Sequence, residues 1–432
     1  MADWEIFGQS FGLVVETIIR GILQGGLYSL IALGIVVINK ASGIFNFAHG
    51  WMMFFGAMLF WQFYANDPSA QLRGGVIVLA AAVGLFILVS VGISTRGTVA
   101  VAGAKQNALQ RLLSQWQNNQ IDKQRFVVFL VGAIVTTIII AVCVLQDSSE
   151  MVRASAAALI GSIVLGLLLE RFTIRPLLGQ PVLTAILMTL AIGFMLQGAS
   201  QIIWGTVPQK IDVFTAESTR TDEEKAAAPA TNVIAVPVFT FEGGQQEVTT
   251  QQELGGGTAA NYRIKTESWL GRDIRLPRFL VWGFFIAIVV FVAFTLFFQY
   301  TSLGLAMRAT AENQVLAESV GLQVRWTLAL SWAMVAVMAT MAGVVQGTGG
   351  TGVDIAVVPL LALVVFPAVL LGGLESITGA MVGGLVIGVV EKLTTIYVDT
   401  TAGQQLAPFV VLIIVLIIRP DGLFGQRRID RV

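Results

Sequence analysis

Between residues 15 and 418 the chain is cut into runs of about 20 residues that carry almost no charge. They lie at roughly 15–38, 45–64, 75–94, 126–145, 152–172, 182–204, 279–300, 327–347, 356–373, 378–397 and 407–418. A run of that length is what an α-helix needs to cross the hydrocarbon of a bilayer. Hydrocarbon offers no partner to a free N–H or C=O, so each crossing has to satisfy its own backbone, and a helix does this within one segment. The chain is therefore predicted to be an all-α polytopic membrane protein of about 11 hydrophobic segments. Its charged fraction, 12%, is about half that of a soluble domain. The ninth segment holds Pro359, Pro367, Gly372 and Gly373 and is expected to be broken or re-entrant.

Sidedness follows from the basic residues, which stay on the cytoplasmic side of short loops. Lys40 follows the first segment, and 95–125 carries Arg96, Lys105, Arg111, Lys123 and Arg125. Arg171 and Arg175 end the fifth segment, Arg308 and Arg325 follow the seventh, and Arg419, Arg427, Arg428 and Arg431 form the tail. All fall on one side if the N-terminus is outside and the C-terminus inside. The opposite loops, "ANDPSA", "QDSSEM" and "YVDTTAGQQ", are acidic or neutral. The start, "MADWEIFGQS", lacks the basic region of a cleaved signal peptide.

This pattern divides the chain into 1–65, the first two spans; 66–150, a pair of spans about an internal stretch; 151–204; an external loop 205–278; and 279–432. In the internal stretch Leu109, Leu112, Leu113 and Trp116 recur at helical spacing, which predicts an amphipathic interfacial helix. In the external loop, alternation in "NVIAVPVFTFEGGQQEVTT" predicts a strand or hairpin. That loop is either a partly disordered external loop or a docking surface for an external partner.

Several activities are excluded. No lysine follows a glycine, so there is no phosphate loop and no way for the chain alone to bind ATP in that manner. The lone His49 and lone Cys143 cannot pair for a metal or a disulfide. No catalytic residues, metal or cofactor are expected. Zero net charge, from 26 basic and 26 acidic residues, gives no reason to expect nucleic acid. Ion-driven carriers need acids or histidines in the membrane. Here Glu391 is the clearest, with Glu16 and Arg20 near one end of the first segment, so a secondary carrier that works without an ATPase is disfavoured.

Four motifs remain. Gly21, Gly25 and Ser29 stand at four-residue spacing, as small residues do where two membrane helices pack closely. Gln24 and Tyr28 place polar groups at membrane depth, either bonded across helices or facing a watery path. Near the end, Gly379 with Gly383 and Gly384 with Gly388 make further small-residue pairs, and Pro367 with Gly372 and Gly373 predicts a bend that must be buried or line a cavity. The internal "YTSLGLAMRATAENQVLAESVGLQVRWTLALSWA" is helical in composition. It is either an ordinary amphipathic connection or a helix with small residues that lies in a partner's groove. Finally "KASGIFNFAHG" sits where the first two spans meet on the inner side. Asn46 can cap the second helix, and His49 in its first turn can bond a nearby carbonyl. That motif is either a locked helix start or a polar inner gate.

Together, "GLYSLIALGIVVINKASGIFNFAHG" (26–50), "SLGLAMRATAENQVLAESVGLQVRWTLALSWAMVAVMATMAGVVQG" (302–347) and "AVLLGGLESITGAMVGGLVIGVVEKL" (368–393) resemble the permease subunits of branched-chain amino-acid ABC importers, the LivH-like group. "ERFTIRPLLGQPVLTAILMTLAIGFMLQ" (170–197) and "IIRPDGLFG" (417–425) fit as well. The resemblance implies a multi-pass protein of the bacterial inner membrane. It implies a homologous second permease, two ATP-binding cassette subunits inside that hydrolyse the ATP, and an external substrate-binding protein. The coupling segment would lie within loop 301–326, with Arg308, Ala309, Ala311, Glu312, Ala317 and Gly321 at the ATPase groove. Substrate would pass along a path to which Gln24, Tyr28, Asn46, His49 and Glu391 are candidates, and a half-helix N-terminus on that path would favour a carboxylate. Relatives also carry urea, short amides or other amino acids. The chain departs from the family in its apparent insertion at 66–150, its long external loop, and Glu375, which stands where "GGIGSI" has glycine.

Overall fold

The computed structural model describes residues 5–6, 9–64, 150–177, 181–211, 213, 261–264, 274–312, 314–322, 324–349, 351–398 and 400–425. The spans expected at 75–94 and 126–145, the amphipathic helix near 97–125 and most of the external loop lie outside the described residues. Among the described residues six helices are long and apolar enough to cross a membrane. In chain order the helices are α1 (Phe11–Ser42), α2 (His49–Tyr64), α3 (Glu150–Leu169), α4 (Val182–Trp204), α5 (Arg278–Tyr300), α6 (Ser302–Glu312), α7 (Gln314–Ser319), α8 (Val324–Gly347), α9 (Val358–Val364), α10 (Phe366–Gly372), α11 (Ile377–Tyr397) and α12 (Thr401–Ile418). A π-turn, Glu170–Ile174, continues α3 and runs into a further three-residue helical turn, Arg175–Leu177. Two antiparallel strand pairs are also described: β1 (Glu5–Ile6) with β2 (Gln9–Ser10), and β3 (Asn261–Ile264) with β4 (Ile274–Pro277).

α1 is the most buried of the described spans. Its most apolar window is 94% buried, against 22% for α5 and 28% for α4. A helix apolar all round belongs in such a position, and α1 packs against α5, α8, α10 and α11. α11 runs antiparallel to it along almost its whole length. Gln9, just before α1, donates to Ile396 O; at the far end Asn39 donates to Leu374 O and Lys40 to Glu375 O.

Those contacts separate two ends. At one end lie Lys40, the end of α5, helices α6 and α7, the α10–α11 turn and the tail 419–425. At the other lie the start of α1, β4 and the end of α11. There Glu16 pairs with Arg20 at 2.7 Å, and Arg20 donates to Arg275 O, fastening β4 onto α1. The loops read from their basic residues as internal thus gather at one end, as far as they are described.

Two of the expected spans are short. α2 has 16 residues, about 24 Å, less than the hydrocarbon thickness of about 30 Å. The ninth segment is broken, as its prolines imply: α9 and α10 meet at Val365, and Pro367 has no N–H for the carbonyl of Leu363. The starts of α2 and α9 meet directly. Gly50 lies so close to the Pro359 carbonyl that a Cβ there would have no room.

Candidate functional site

The seam between α1 and α11 is built from glycine on both sides. A Cβ added at Gly21 would come within 2.7 Å of Val389 Cα, and one at Gly25 within 2.7 Å of Leu385 Cα. From the other side, Gly388 meets the backbone of Gly25, and Gly384 meets Ser29. The Ser29 hydroxyl lies 2.7 Å from Gly25 O and 2.8 Å from Met381 O. Small residues let the backbones touch, the means by which membrane helices associate where burial of apolar surface no longer drives them together.

Along this seam three of the expected polar residues come together. Tyr28 OH donates to Glu391 Oε2 at 2.6 Å. Gln24 lies one turn earlier on α1. A helical side chain leans toward the N-terminus of its helix, and this carries the Tyr28 hydroxyl past the level of its own Cα to Glu391 on the antiparallel neighbour. Of the two readings of Tyr28, cross-helix bonding is the one observed. Gln24 and Tyr28 are buried, while Glu391 is half-exposed.

Asn46 and His49 lie elsewhere, between α1, α2, α4 and α8. Residues 43–48 turn back from the end of α1 into the protein, starting at Gly43 with φ +68°. The Asn46 side chain accepts from Ala48 N at 3.0 Å and its carbonyl from His49 N. It closes the turn leading into the helix, a variant of the expected cap. Phe47 N donates to Thr189 Oγ1 of α4.

The position of His49 differs from the inner-face site expected from topology. Its ring fills the space left by Gly34, whose added Cβ would lie 2.6 Å from His49 Cε1 and 3.5 Å from Val335 Cγ1. Val335 is at the midpoint of α8 (Val324–Gly347), so His49 lies level with the middle of that helix. The expected bond from the imidazole to a carbonyl is also not formed. His49 is fully buried, and neither ring nitrogen has a partner among the described residues. The re-entrant path of 43–48 causes both differences, because it brings the ring against a glycine and a valine.

The remaining glycines shape the α10–α11 hairpin. Gly372 and Gly379 are in backbone contact, and Gly383 meets the Ala368 carbonyl. α11 thus shows one glycine face to α10 and the other, Gly384 and Gly388, to α1. Gly373 turns the chain with φ +100°, and Ser376 caps α11 by accepting from Gly379 N at 2.9 Å. The tail docks here: Leu423 N donates to Leu371 O and Phe424 N to Gly372 O. These are carbonyls that the end of α10 leaves without helical partners.

The internal segment folds as α6 and α7. Thr301 caps α6, accepting from Gly304 N at 3.0 Å. Arg308 donates to Gln299 O and stands 5.7 Å from the centre of the Phe298 ring, while Lys40 stands 5.3 Å from the same ring. Phe298, which sequence reading missed, links α6 to the end of α1; nothing marked it among 26 phenylalanines. Ala309 and Ala311 are half-buried and Glu312 is exposed. Ala317 is 3% exposed and packs on Val324 and Leu328. It therefore seats α7 on α8, and does not offer a small face to a partner. Gly321 is exposed, with φ +85° and no atom within 4 Å of an added Cβ. Leu303, Leu305, Leu316, Val320 and Trp326 are exposed apolar residues on and beside this segment.

The sequence profile of one family, described as "Branched-chain amino acid transport system / permease component", matches residues 17–122 and 126–418. The chain is 26% identical over 309 residues to the high-affinity branched-chain amino acid transport system permease protein LivH of Escherichia coli (strain K12), covering 71% of this chain and 85% of that one. It is 26% identical over 311 residues to the corresponding protein BraD of Pseudomonas aeruginosa, covering 71% and 86%. A shorter match, 28% over 141 residues, covers 31% of this chain and 39% of the fructose import permease protein FruF of Bifidobacterium longum. No solved structure matches.

Proposed function

The chain belongs to the family of branched-chain amino acid transport permease components, and from that premise we propose that it is the membrane-spanning subunit of an ATP-binding cassette importer for branched-chain or related amino acids. The observation that carries this reading is the family match, which runs from the first span to the last. In the proposed complex it pairs with a homologous permease in the bacterial inner membrane. Two ATP-binding cassette subunits dock inside and hydrolyse the ATP, and a substrate-binding protein docks outside. The N-terminus is outside, the C-terminus inside, and the loop 205–278 faces the binding protein.

Transport proceeds by alternating access. Closure of the ATPase dimer pushes on α6 and α7. Their exposed apolar residues beside Gly321 support this docking, because an apolar patch left uncovered on a protein marks an interaction site. Arg308, Ala309, Ala311 and Glu312 line the coupling helix. Through Phe298 the push reaches Lys40 and the end of α1, and through Lys40 it reaches the α10–α11 turn at Glu375 O. α1 then moves against α11 along the glycine seam. The solute passes Glu391, which Tyr28 holds, nearer the outside, with Asn46 and His49 nearer the centre.

Reconstitution of the full set of subunits in liposomes tests this. ATP-dependent uptake of leucine, isoleucine or valine is expected, and none without the ATPases. Uptake by the permeases alone would identify a secondary carrier instead. Absence of uptake with every subunit present would overturn the reading.

A further inference from the structure

The carboxylate of Glu391 is placed where membrane proteins rarely put one. It lies six residues before the end of α11 (Ile377–Tyr397), about 9 Å along the helix, at the end that holds Gln9, Glu16 and Arg20. Tyr28 holds one of its oxygens. The residue is half-exposed, and no Lys, Arg or His pairs with it among the described residues. Hydrocarbon cannot solvate a carboxylate, and ionisable groups at such depth face a watery path and find a partner there. Tyr28 donates a single hydrogen, so the second oxygen is left for a donor that the described residues do not supply.

We propose that Glu391 binds the α-ammonium group of the transported amino acid, with Tyr28 holding the carboxylate in place. This rests on the transport reading above and names the chemistry of one step in it. An ammonium brings three N–H donors and a full positive charge, and a charge-assisted bond to a carboxylate is roughly twice as strong as a neutral one. The solute's own carboxylate is repelled by Glu391 and points away from it. The site therefore orients a zwitterion amine-first and rejects a simple organic anion. Tyr28 is a positioning residue: its hydroxyl fixes the Glu391 rotamer across the seam.

The test uses the complete transporter in liposomes. Glu391→Gln keeps the size of the side chain and an acceptor for Tyr28 but removes the charge. Uptake of leucine is expected to fall at least tenfold, while the permease pair stays assembled and ATPase stimulation by loaded binding protein stays within twofold. Tyr28→Phe is expected to raise KM several-fold with kcat little changed. Uptake by Glu391→Gln within twofold of wild type overturns the proposal. So does dissociation of the two permeases, which would give the carboxylate to their interface. A second variant, Glu391→Cys with Cys143→Ser, removes the dependence on one substitution. An anionic sulfonatoethyl thiol reagent should restore uptake at least threefold, and a cationic trimethylammonium reagent should not; equal effects overturn the proposal. If wild-type protein shows no ATP-dependent uptake of any α-amino acid, the transport reading itself has failed and takes this inference with it.

Discussion

The imidazole of His49 is a costly placement. It is 0% exposed with both ring nitrogens unpaired, and an unsatisfied polar group costs about 1–3 kcal/mol on burial. Replacing such a group by an apolar one of similar shape is close to neutral or stabilising. His49→Leu is therefore expected to leave the melting midpoint of the purified protein unchanged or higher. Gly34→Ala should lower it, by the equivalent of about 1–3 kcal/mol, because the new methyl meets His49 Cε1. A lower midpoint for His49→Leu would show that the ring has a partner in the membrane. Uptake separates the two readings of the motif: a locked helix start tolerates His49→Leu, and a gate does not. The sequence excluded a metal or catalytic role for this residue, since it offers no second histidine. Its depth was not legible, because depth depends on the path of residues 43–48 and on the glycine it meets on α1.

At the scale of elements, the α1–α11 seam depends on glycines that no side-chain rearrangement can replace. The atoms opposing Gly25 and Gly388 are backbone. Gly25→Val or Gly388→Val should separate the helices and cost about 3 kcal/mol or more, seen as loss of monodisperse protein in detergent. Gly198→Val on α4, where nothing lies within 4 Å of an added Cβ, is the control and should behave as wild type. Spacing alone marked Gly379, Gly383, Gly384 and Gly388 as packing residues, yet it could not assign the first two to α10 and the last two to α1. The coupling segment gives a further paired test. Gly321 has a positive φ, which asparagine tolerates better than most residues. Gly321→Asn should retain uptake and substrate-stimulated ATPase. Gly321→Trp should lose both, because its indole would project only toward a partner. Retention of both activities by Gly321→Trp would remove Gly321 from the docking surface.

For the whole molecule, the decision to enter a membrane is a property of short stretches. Twenty apolar residues in a row are enough for it, and helical hydrogen bonds close within the stretch, so spans were legible one at a time. The described helices follow the expected segments, including the break in the ninth at its prolines. The basic loops could likewise be placed together, because charge sidedness is counted loop by loop. Other features join residues that are far apart in the chain. Tyr28 and Glu391 are separated by 363 positions. The tail satisfies the last carbonyls of α10, and Phe298 is shared by Lys40 and Arg308. Between membrane helices the apolar character of the surfaces no longer selects partners, and fit and a few polar bonds do. By itself, therefore, the sequence determined that this chain is a bundle of helices in a bilayer with its basic loops on one side. Only the tertiary structure decided which helix faces touch, how deep His49 lies, and that an acid on α11 is held by a phenol on α1, because those depend on close contact between surfaces that composition does not distinguish.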